Sequence, residues 1–441
     1  MLPTPAAARD WFEEFEKDST WDRLVQTCAH ILGEEGHSKR NLGGPIRNWM
    51  RRGGTYLSPL GGVQPKPVEV AEALLKDVRA TEDRVVLLAP LEGIGFTKTE
   101  MDFGDFQILQ PKAEQLEVLL GMLVNRIFYP HAATSTKRLT DHWYIRCEMR
   151  KDRKLGPTYD PLALVFGGPV LPEYTHLPPR IEAPLKSLIL WDEQRYGLGI
   201  DFWIEFVSIP FVIVAQDNPF KALRPAPPIG AFRFYQPIII DGQEVGEEPG
   251  RLIDLAAEDT VRFEVFIRKV TVQLQKIRSM GEPWEFVDHG LNYLLKGFFS
   301  DGLDQLIRHI VALEAFLGGK DSDISLTEQL SKRVAAIYSG DSGRSEAASK
   351  EFKDLYKIRC ALVHGRPFKA EVDSDHLWRA RKLARTVAIR IVDIHSQLAE
   401  EAEKGRLTRI PKREEILSMP DAEGVRARLG WLSRVFPSLD T

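Results

Sequence analysis

The chain has 441 residues, of which 43% are hydrophobic and 28% are charged, and its formal net charge is −4 at pH 7. This composition is typical of a soluble globular protein and excludes a largely disordered chain, and the length suits two or three domains. Because the net charge is slightly negative, any affinity for nucleic acid must come from a local basic patch and not from the field of the whole protein.

The cysteines and the apolar segments narrow the class of protein further. Cys28, Cys147 and Cys360 are far apart and odd in number, so neither a disulfide framework nor a cysteine-based zinc site is predicted. The N-terminus has no signal-peptide pattern, and the most apolar run, residues 202–215, is shorter than the roughly 20 residues of a membrane-spanning helix. No nucleotide-binding loop motif is present. We therefore expect a cytoplasmic protein without a membrane segment, cofactor or metal.

The first half of the chain mixes helical and strand patterns. Apolar residues at three- and four-residue steps predict helices over 9–32, 68–78 and 111–126. The segment 39–62 is rich in Gly, Arg and Asn and is predicted to be a loop. Short apolar or alternating runs predict strands at 84–89, 143–147, 187–191, 211–215, 232–235 and 238–240.

The hydrophobic period changes in the second half, where nearly every segment from about residue 259 is helical. The sequence therefore predicts an α+β protein, in which a mixed α/β domain precedes an all-α bundle. We assign residues 1–245 to the mixed domain, as a sensor or substrate-selecting module, and 246–282 to a linker with a connecting helix. Residues 283–400 form the expected bundle, and 401–441 a mildly basic tail.

Within the bundle, helices are predicted at 283–299, 302–317, 325–338, 346–364 and 375–399. The loops between them are mostly short, which favours antiparallel neighbours. Ser325 lies three residues before Glu328, a pattern that is typical of a capping box at the start of a helix.

The segment 355–365 carries the residues that are the strongest candidates for a chemical role. It is an apolar, helix-patterned stretch that contains Arg359 and, five residues later, His364. The helix is expected to end at the histidine, because Gly365 and Pro367 follow. Arginine can hold a phosphate with a forked, permanently charged set of donors, and histidine can move a proton near neutral pH.

Four blocks in this region resemble the Apea-like branch of the HEPN families: ALEAFL (312–317), LSKRVAA (330–336), LYKIR (355–359) and LVHG (362–365). Those families are helical bundles marked by an arginine, four to six residues, and a histidine; the spacing here is four. The resemblance covers about residues 285–398, roughly a quarter of the chain. It implies a metal-independent endoribonuclease of toxin, antiviral (phage) defence or RNA-processing type, whose cleft forms across a homodimer.

The resemblance also implies roles for individual residues. His364 would act as a general base or acid on the 2′-hydroxyl of RNA, and Arg359 would hold the non-bridging phosphate oxygens. The products would be a 2′,3′-cyclic phosphate and a 5′-hydroxyl, with no cofactor. The residue after the motif arginine is commonly polar in these families, whereas Cys360 is a weak hydrogen-bonding group, which would weaken catalysis.

Other interpretations of the same residues stay open. The helix dipole favours a histidine in the last turn without any catalysis, and Arg359 could pair with Glu314 or with Asp354. Five residues of α-helix rotate by ~140°, so the two motif side chains do not share one stripe, and a second copy of the helix would have to complete the site. Glu314 would then be a supporting partner within the bundle.

Each residue around the motif could have either a functional or a structural role. Lys357 and Arg366 could contact phosphate or merely solvate a helix face, and Tyr356 could contact RNA or pack in the core. The expected partners are RNA, with tRNA as the first candidate, a second copy of the chain, and a protein or phage-derived trigger at the N-terminal domain. The alternative function is a non-catalytic HEPN-fold RNA-binding or dimerisation scaffold, or the regulatory subunit of a defence system.

Overall fold

The computed structural model describes residues 17–31, 39–52, 67–119, 139–152, 177–191, 209, 211–216, 218–220, 235–240, 243–249, 251–319, 325–338, 342–365 and 372–405. The chain divides into two compact units, Met1–Gly168 with Phe206–Ala257, and Pro169–Glu205 with Glu258–Thr441. All described strands belong to the first unit, and the described part of the second unit is built from helices. The protein therefore combines a mixed α/β unit with a helical one.

The elements of the first unit follow in chain order. Its described helices are α1 (Ser19–Ile31), α2 (Lys39–Arg52), α3 (Pro67–Arg79) and α4 (Ala113–Leu119). Its described strands are β1 (Glu82–Leu91), β2 (Gly93–Phe96), β3 (Glu100–Asp102), β4 (Gln107–Leu109), β5 (Trp143–Asp152), β6 (Ile213–Gln216), β7 (Tyr235–Ile240), β8 (Gln243–Pro249) and β9 (Arg251–Leu255).

A five-stranded antiparallel sheet with the order β3-β4-β5-β1-β6 is the centre of this unit. The longest pairing joins β1 to β5 over their full length, from Glu82 opposite Asp152 to Leu91 opposite Trp143. Val86 and Leu88 alternate with their neighbours on β1, so they share one face of the sheet and pack with Leu116 of α4 in a buried cluster. Two smaller pairs, β2–β9 (parallel) and β7–β8 (antiparallel), complete the described strands.

The predicted loop over 39–62 is wrong for its first part, because α2 occupies Lys39–Arg52. Residues 53–62 lie outside the described residues. Leu42, Ile46 and Trp49 recur at helical steps and are buried with residues of α1 and α3. The indole of Trp49 donates a hydrogen bond of 2.7 Å to Asp77 on α3. Two glycines and a proline stand between these apolar residues, so the sequence favours a loop although the apolar residues have helical spacing and are buried.

The predicted strand at 187–191 is also wrong. Helix α5 (Pro179–Leu188) covers its beginning, and a turn leads from the helix to Trp191. Residues 184–191 are all buried, so the segment lacks the polar face that identifies an amphipathic helix. A short, mostly apolar run of this kind is typical of a strand, although here its first two residues, 187 and 188, end a largely buried helix and the others form a turn.

The other first-half predictions agree with the described residues. The helix at 68–78 and the strands at 84–89, 143–147, 211–215 and 238–240 are confirmed, with ends that differ by a few residues. Residues 9–16, 120–126 and 232–234, which belong to three predicted elements, lie outside the described residues, as do residues 406–441 of the predicted tail. None of the described helices is both long and apolar enough to cross a membrane.

The described helices of the second unit are α5, α6 (Ala257–Ser279), α7 (Glu285–Phe298), α8 (Gly302–Leu317), α9 (Leu326–Ile337), α10 (Ser342–Val363) and α11 (Ser374–Glu403). The five helices from α7 to α11 lie within a few residues of the predicted bounds. The segment 246–282, predicted to be a linker with a connecting helix, contains the end of β8, all of β9 and the 23-residue α6.

Buried apolar residues spaced by three and four hold this helical unit together. Helix α8 packs against α7, α10 and α11 and buries Leu306, Ile310, Leu313 and Phe316. The start of α9 is capped as the sequence predicts, since the Glu328 amide donates a hydrogen bond of 3.3 Å to the Ser325 hydroxyl. The Glu328 carboxylate instead reaches Lys353 of α10 at 2.9 Å, which ties α9 to the helix that carries the motif.

Candidate functional site

Helix α10 places the motif at its C-terminal end. Its buried residues Phe352, Leu355 and Ile358 fix the helix in the bundle. The helix ends at Val363, and the amide of His364 closes the last turn with a bond of 3.1 Å to the Cys360 carbonyl. Gly365 follows with a φ of +60°, a backbone conformation that favours glycine and stops the helix. The predicted position of the helix end is therefore confirmed.

Arg359 is bound to Glu314 of α8. Its Nη2 donates to Oε2 of Glu314 at 3.3 Å, and each side chain is 20% exposed. Of the two partners that the sequence allowed, the structure has Glu314, whereas Asp354 lies 3.6 Å from Lys357. The ion pair connects the motif helix to α8 at a half-buried position.

Tyr356 completes this cluster from the turn of α10 that precedes Arg359. Its hydroxyl donates a hydrogen bond of 2.9 Å to the other oxygen of Glu314, and the Arg359 guanidinium lies 5.6 Å from the centre of its ring. Burial, together with the negative charge of Glu314, raises the pKa of Tyr356 to about 12. The phenol therefore remains a protonated donor to Glu314 throughout the physiological pH range.

The Arg359 guanidinium retains donors that this cluster does not use. Its Nε is buried and has no hydrogen-bond partner among the described residues. A guanidinium carries five N–H donors in a fixed fork, of which the Glu314 contact uses one. The arginine is thus positioned by the bundle but incompletely satisfied by it.

His364 lies beyond the helix end and is exposed. Arg359 bonds to Glu314, and His364 is joined to the helix through its backbone amide, so no described hydrogen bond links the two motif side chains. The structure brings Arg359, Tyr356 and Glu314 together in one cluster and leaves His364 at the adjacent surface. Among the described residues, the two motif side chains of one chain are therefore not joined to each other.

The surface around His364 is partly apolar. Val363 is 51% exposed, and Cys360, Ala361 and Leu362 are half-buried. Lys357 is 74% exposed beside Asp354, a surface pair of the kind that contributes little to stability. Arg366 lies outside the described residues.

A second polar cluster in the same bundle was missed by sequence reasoning. The Arg381 guanidinium lies 4.7 Å from the centre of the Phe298 ring, and its Nη2 donates to Oε1 of Gln305 at 2.8 Å when that amide oxygen faces it. His309 is fully buried nearby, and burial, followed by the charges of Arg381 and Arg385, holds its pKa well below the ordinary value. A lone histidine within an apolar helix gives no signal of this environment.

No group of three or more His, Cys, Asp and Glu side chains arranged to hold a metal ion occurs within the part of the chain that the structure describes. Comparison with models of known protein families, with curated proteins and with solved structures found no match for this chain.

Proposed function

We propose that this protein is a metal-independent endoribonuclease of the HEPN type, in which Arg359 and His364 are the catalytic residues. The observation that carries the proposal is the end of α10, where an arginine with unused donors is held by Glu314 and Tyr356 next to an exposed histidine. A helical bundle with this motif at a helix end suits a toxin-like enzyme or an effector of phage defence.

The chemistry requires only the groups of the motif and the substrate. The imidazole of one His364 takes the proton of the 2′-hydroxyl, and the 2′-oxygen attacks phosphorus. The bond between phosphorus and the 5′-oxygen breaks as a protonated imidazole gives its proton to that oxygen. Arg359 stabilises the charge on the non-bridging oxygens with its forked donors. A 2′,3′-cyclic phosphate and a 5′-hydroxyl remain.

A second copy of the chain supplies the second histidine in this scheme. The Arg359 side chain bonds to Glu314 and not to His364, so in this scheme two facing copies of α10 surround one phosphate. The half-exposed Val363, with Ala361 and Leu362 beside it, provides apolar surface for that contact. The homodimer is part of the proposal, and RNA, with tRNA as the first candidate, is its substrate.

The alternative is a non-catalytic scaffold with the same fold that binds RNA, dimerises, or serves as the regulatory subunit of a defence system. One observation favours it: the Arg359 charge already faces the Glu314 carboxylate, as expected for a structural ion pair. In the enzyme and in the regulatory subunit alike, the first unit would act as a sensor or substrate-selecting module that responds to a protein or phage-derived trigger.

An RNA digest in EDTA separates the two functions. We expect the purified protein to cut RNA with the chelator present and to leave 2′,3′-cyclic phosphate ends, and we expect the His364→Ala protein to be inactive while remaining folded. Cleavage that stops in EDTA, or that is equal in both proteins, would contradict the nuclease proposal. Sedimentation at micromolar concentration tests the dimer, and a strict monomer with and without RNA would count against it.

A further inference from the structure

The contact between Glu314 and Arg359 has the geometry of a weak, displaceable ion pair. A single Nη2 donates over 3.3 Å, whereas charge-assisted N–H···O bonds are usually about 2.7–2.9 Å long and guanidinium–carboxylate pairs often form two of them in parallel. The Tyr356 hydroxyl donates to the other oxygen of Glu314 at 2.9 Å, which is nearer to the roughly 2.5–2.7 Å that is usual for a hydroxyl on a carboxylate. Glu314 therefore has a second donor that does not depend on Arg359.

The unused donors of Arg359 point to a stronger ligand than Glu314. Leaving a buried N–H without an acceptor is unfavourable, and the described part of the chain offers no acceptor to the Nε of Arg359. A phosphate group offers several oxygens to the planar fork and can accept from Nε and Nη together, which Glu314 does not do here. We infer that Glu314 and Tyr356 clamp Arg359 in the resting protein, and that an RNA phosphate releases the arginine by displacing the Glu314 carboxylate.

This inference rests on the proposed function, because it assumes that RNA reaches the end of α10. The clamp has two consequences for that function. In the resting protein, Glu314 holds Arg359 near its working position and compensates part of its charge. When the phosphate binds, the bond from Tyr356 still satisfies Glu314, so the carboxylate is not left without a donor. Glu314 is thus a positioning residue that lowers the affinity for RNA.

RNA binding by a non-cleaving protein tests the clamp. In the His364→Ala background, the Kd for a single-stranded RNA oligonucleotide is measured at several salt concentrations. Glu314→Gln should tighten binding about threefold to tenfold, as expected when a half-buried pair no longer competes. Because one more phosphate is then fully contacted, the salt dependence should steepen by about one charge.

Glu328→Gln is the matched control. Glu328 belongs to the same bundle and pairs with Lys353 at 2.9 Å, so this variant changes the net charge equally without touching the cluster. Equal changes in Kd for Glu314→Gln and Glu328→Gln would overturn the inference. Arg359→Gln in the Glu314→Gln background should remove the gain, and a gain that persists there would overturn it as well.

Glu314→Asp covers the case in which Glu314→Gln does not fold. It keeps the charge but shortens the side chain by one methylene, which breaks the 3.3 Å contact, so RNA binding should again tighten. With His364 intact, Glu314→Gln should lower both KM and kcat, because Arg359 binds phosphate more readily but is less well oriented. Equal Kd values for Glu314→Asp and the parent contradict the clamp.

The two proposals fail in different ways. Tighter RNA binding by Glu314→Gln in a protein that never cuts RNA would refute the nuclease and retain the clamp. Cleavage in EDTA by a protein whose Glu314→Gln and Glu328→Gln variants bind RNA equally well would retain the nuclease and refute the clamp.

Discussion

Gly290 on α7 faces the ring of Phe316 on α8 so closely that a Cβ atom at residue 290 would lie 2.4 Å from the ring. Phe316 is fully buried, so the ring cannot move aside into solvent. We expect Gly290→Ala to lower the free energy of unfolding by about 1–3 kcal/mol, the usual cost of overpacking a core. Thermal unfolding of the two proteins measures the difference.

Gly43→Ala is the control for that substitution. Gly43 also lies within a helix, and an added Cβ would lie 3.7 Å from the Trp21 ring, which is an ordinary contact. Alanine there should be neutral or stabilising by about 0.5–1 kcal/mol, because it favours the helix without a clash. A Gly290→Ala protein as stable as Gly43→Ala would show that α7 and α8 can move apart at little cost.

The motif residues should respond differently to substitution. His364→Ala should reduce RNA cleavage about 10²–10⁴-fold through the loss of acid–base catalysis. Arg359→Lys should recover little of the activity that Arg359→Ala loses, because an ammonium group cannot replace the planar fork. Lys350→Ala is the control, since Lys350 is an exposed lysine of α10 that lies more than two turns before the motif arginine. A larger loss of cleavage rate for Lys350→Ala than for Arg359→Lys would argue against the assigned roles.

Cys360 offers a substitution that should raise activity. It follows the motif arginine and is half-buried. Cys360→Asn introduces the polar side chain that is usual at this position in the families that the motif resembles, and we expect faster cleavage with unchanged folding. The ratio of the kcat/KM values of the two proteins measures the effect. Cys28→Ser, at a buried cysteine of the first unit, is a control for the loss of a thiol.

His309 should make the second unit sensitive to acid. The folded protein keeps this histidine neutral, because burial and the charges of Arg381 and Arg385 lower its pKa well below 6.5. The unfolded chain binds a proton as the pH falls below about 6.5, whereas the folded chain does not, so stability is lost below that pH. Denaturant unfolding at pH 7.5 and pH 5 should show a smaller difference for His309→Gln than for the parent. An equal difference would mean that other groups cause the acid sensitivity.

Ser325 should contribute to stability through the cap of α9. Its hydroxyl accepts a hydrogen bond from the Glu328 amide, which would otherwise lack a partner within the helix. Ser325→Ala should cost about 1 kcal/mol, and Ser325→Asp should cost little because a carboxylate caps equally well. Chemical denaturation measures both, and an Ser325→Asp protein as unstable as Ser325→Ala would rule out the cap as the cause.

The sequence predicts the second unit better than the first because its helices are amphipathic. Helices α8 to α11 bury apolar residues at three- and four-residue steps and have mostly short connections, and a capping residue or a glycine marks several helix ends. The sequence did not predict helix α2, because Pro45 and two glycines disfavour a helix there. The burial of its apolar residues against α1 and α3 stabilises the helix nevertheless. The sequence did not predict helix α5, because burial in its second half includes polar residues such as Lys186, so apolar and polar faces are not separated there.

At the candidate site too, the sequence predicts local structure but not the contacts between helices. The spacing of Arg359 and His364, together with the glycine that follows, was sufficient to place the end of α10. The partner of Arg359 could not be chosen from the sequence, because the choice of Glu314 depends on how α8 and α10 are rotated against each other. His309 and its arginine neighbours come from α8 and α11, so only the packed bundle brings them together.

Helix α5 has a consequence for any attempt to divide the protein. The chain passes between the two units three times, at residues 168/169, 205/206 and 257/258. Lys186 of α5 binds Asp288 of α7 at 2.9 Å, and Trp191 packs edge-on against Phe263 of α6 at 5.2 Å. A fragment that begins at residue 258 would therefore leave a carboxylate without its buried lysine and an aromatic side chain without its neighbour. A protein truncated at residue 257 should therefore have a less stable bundle, because the second unit includes a helix from the first half of the sequence.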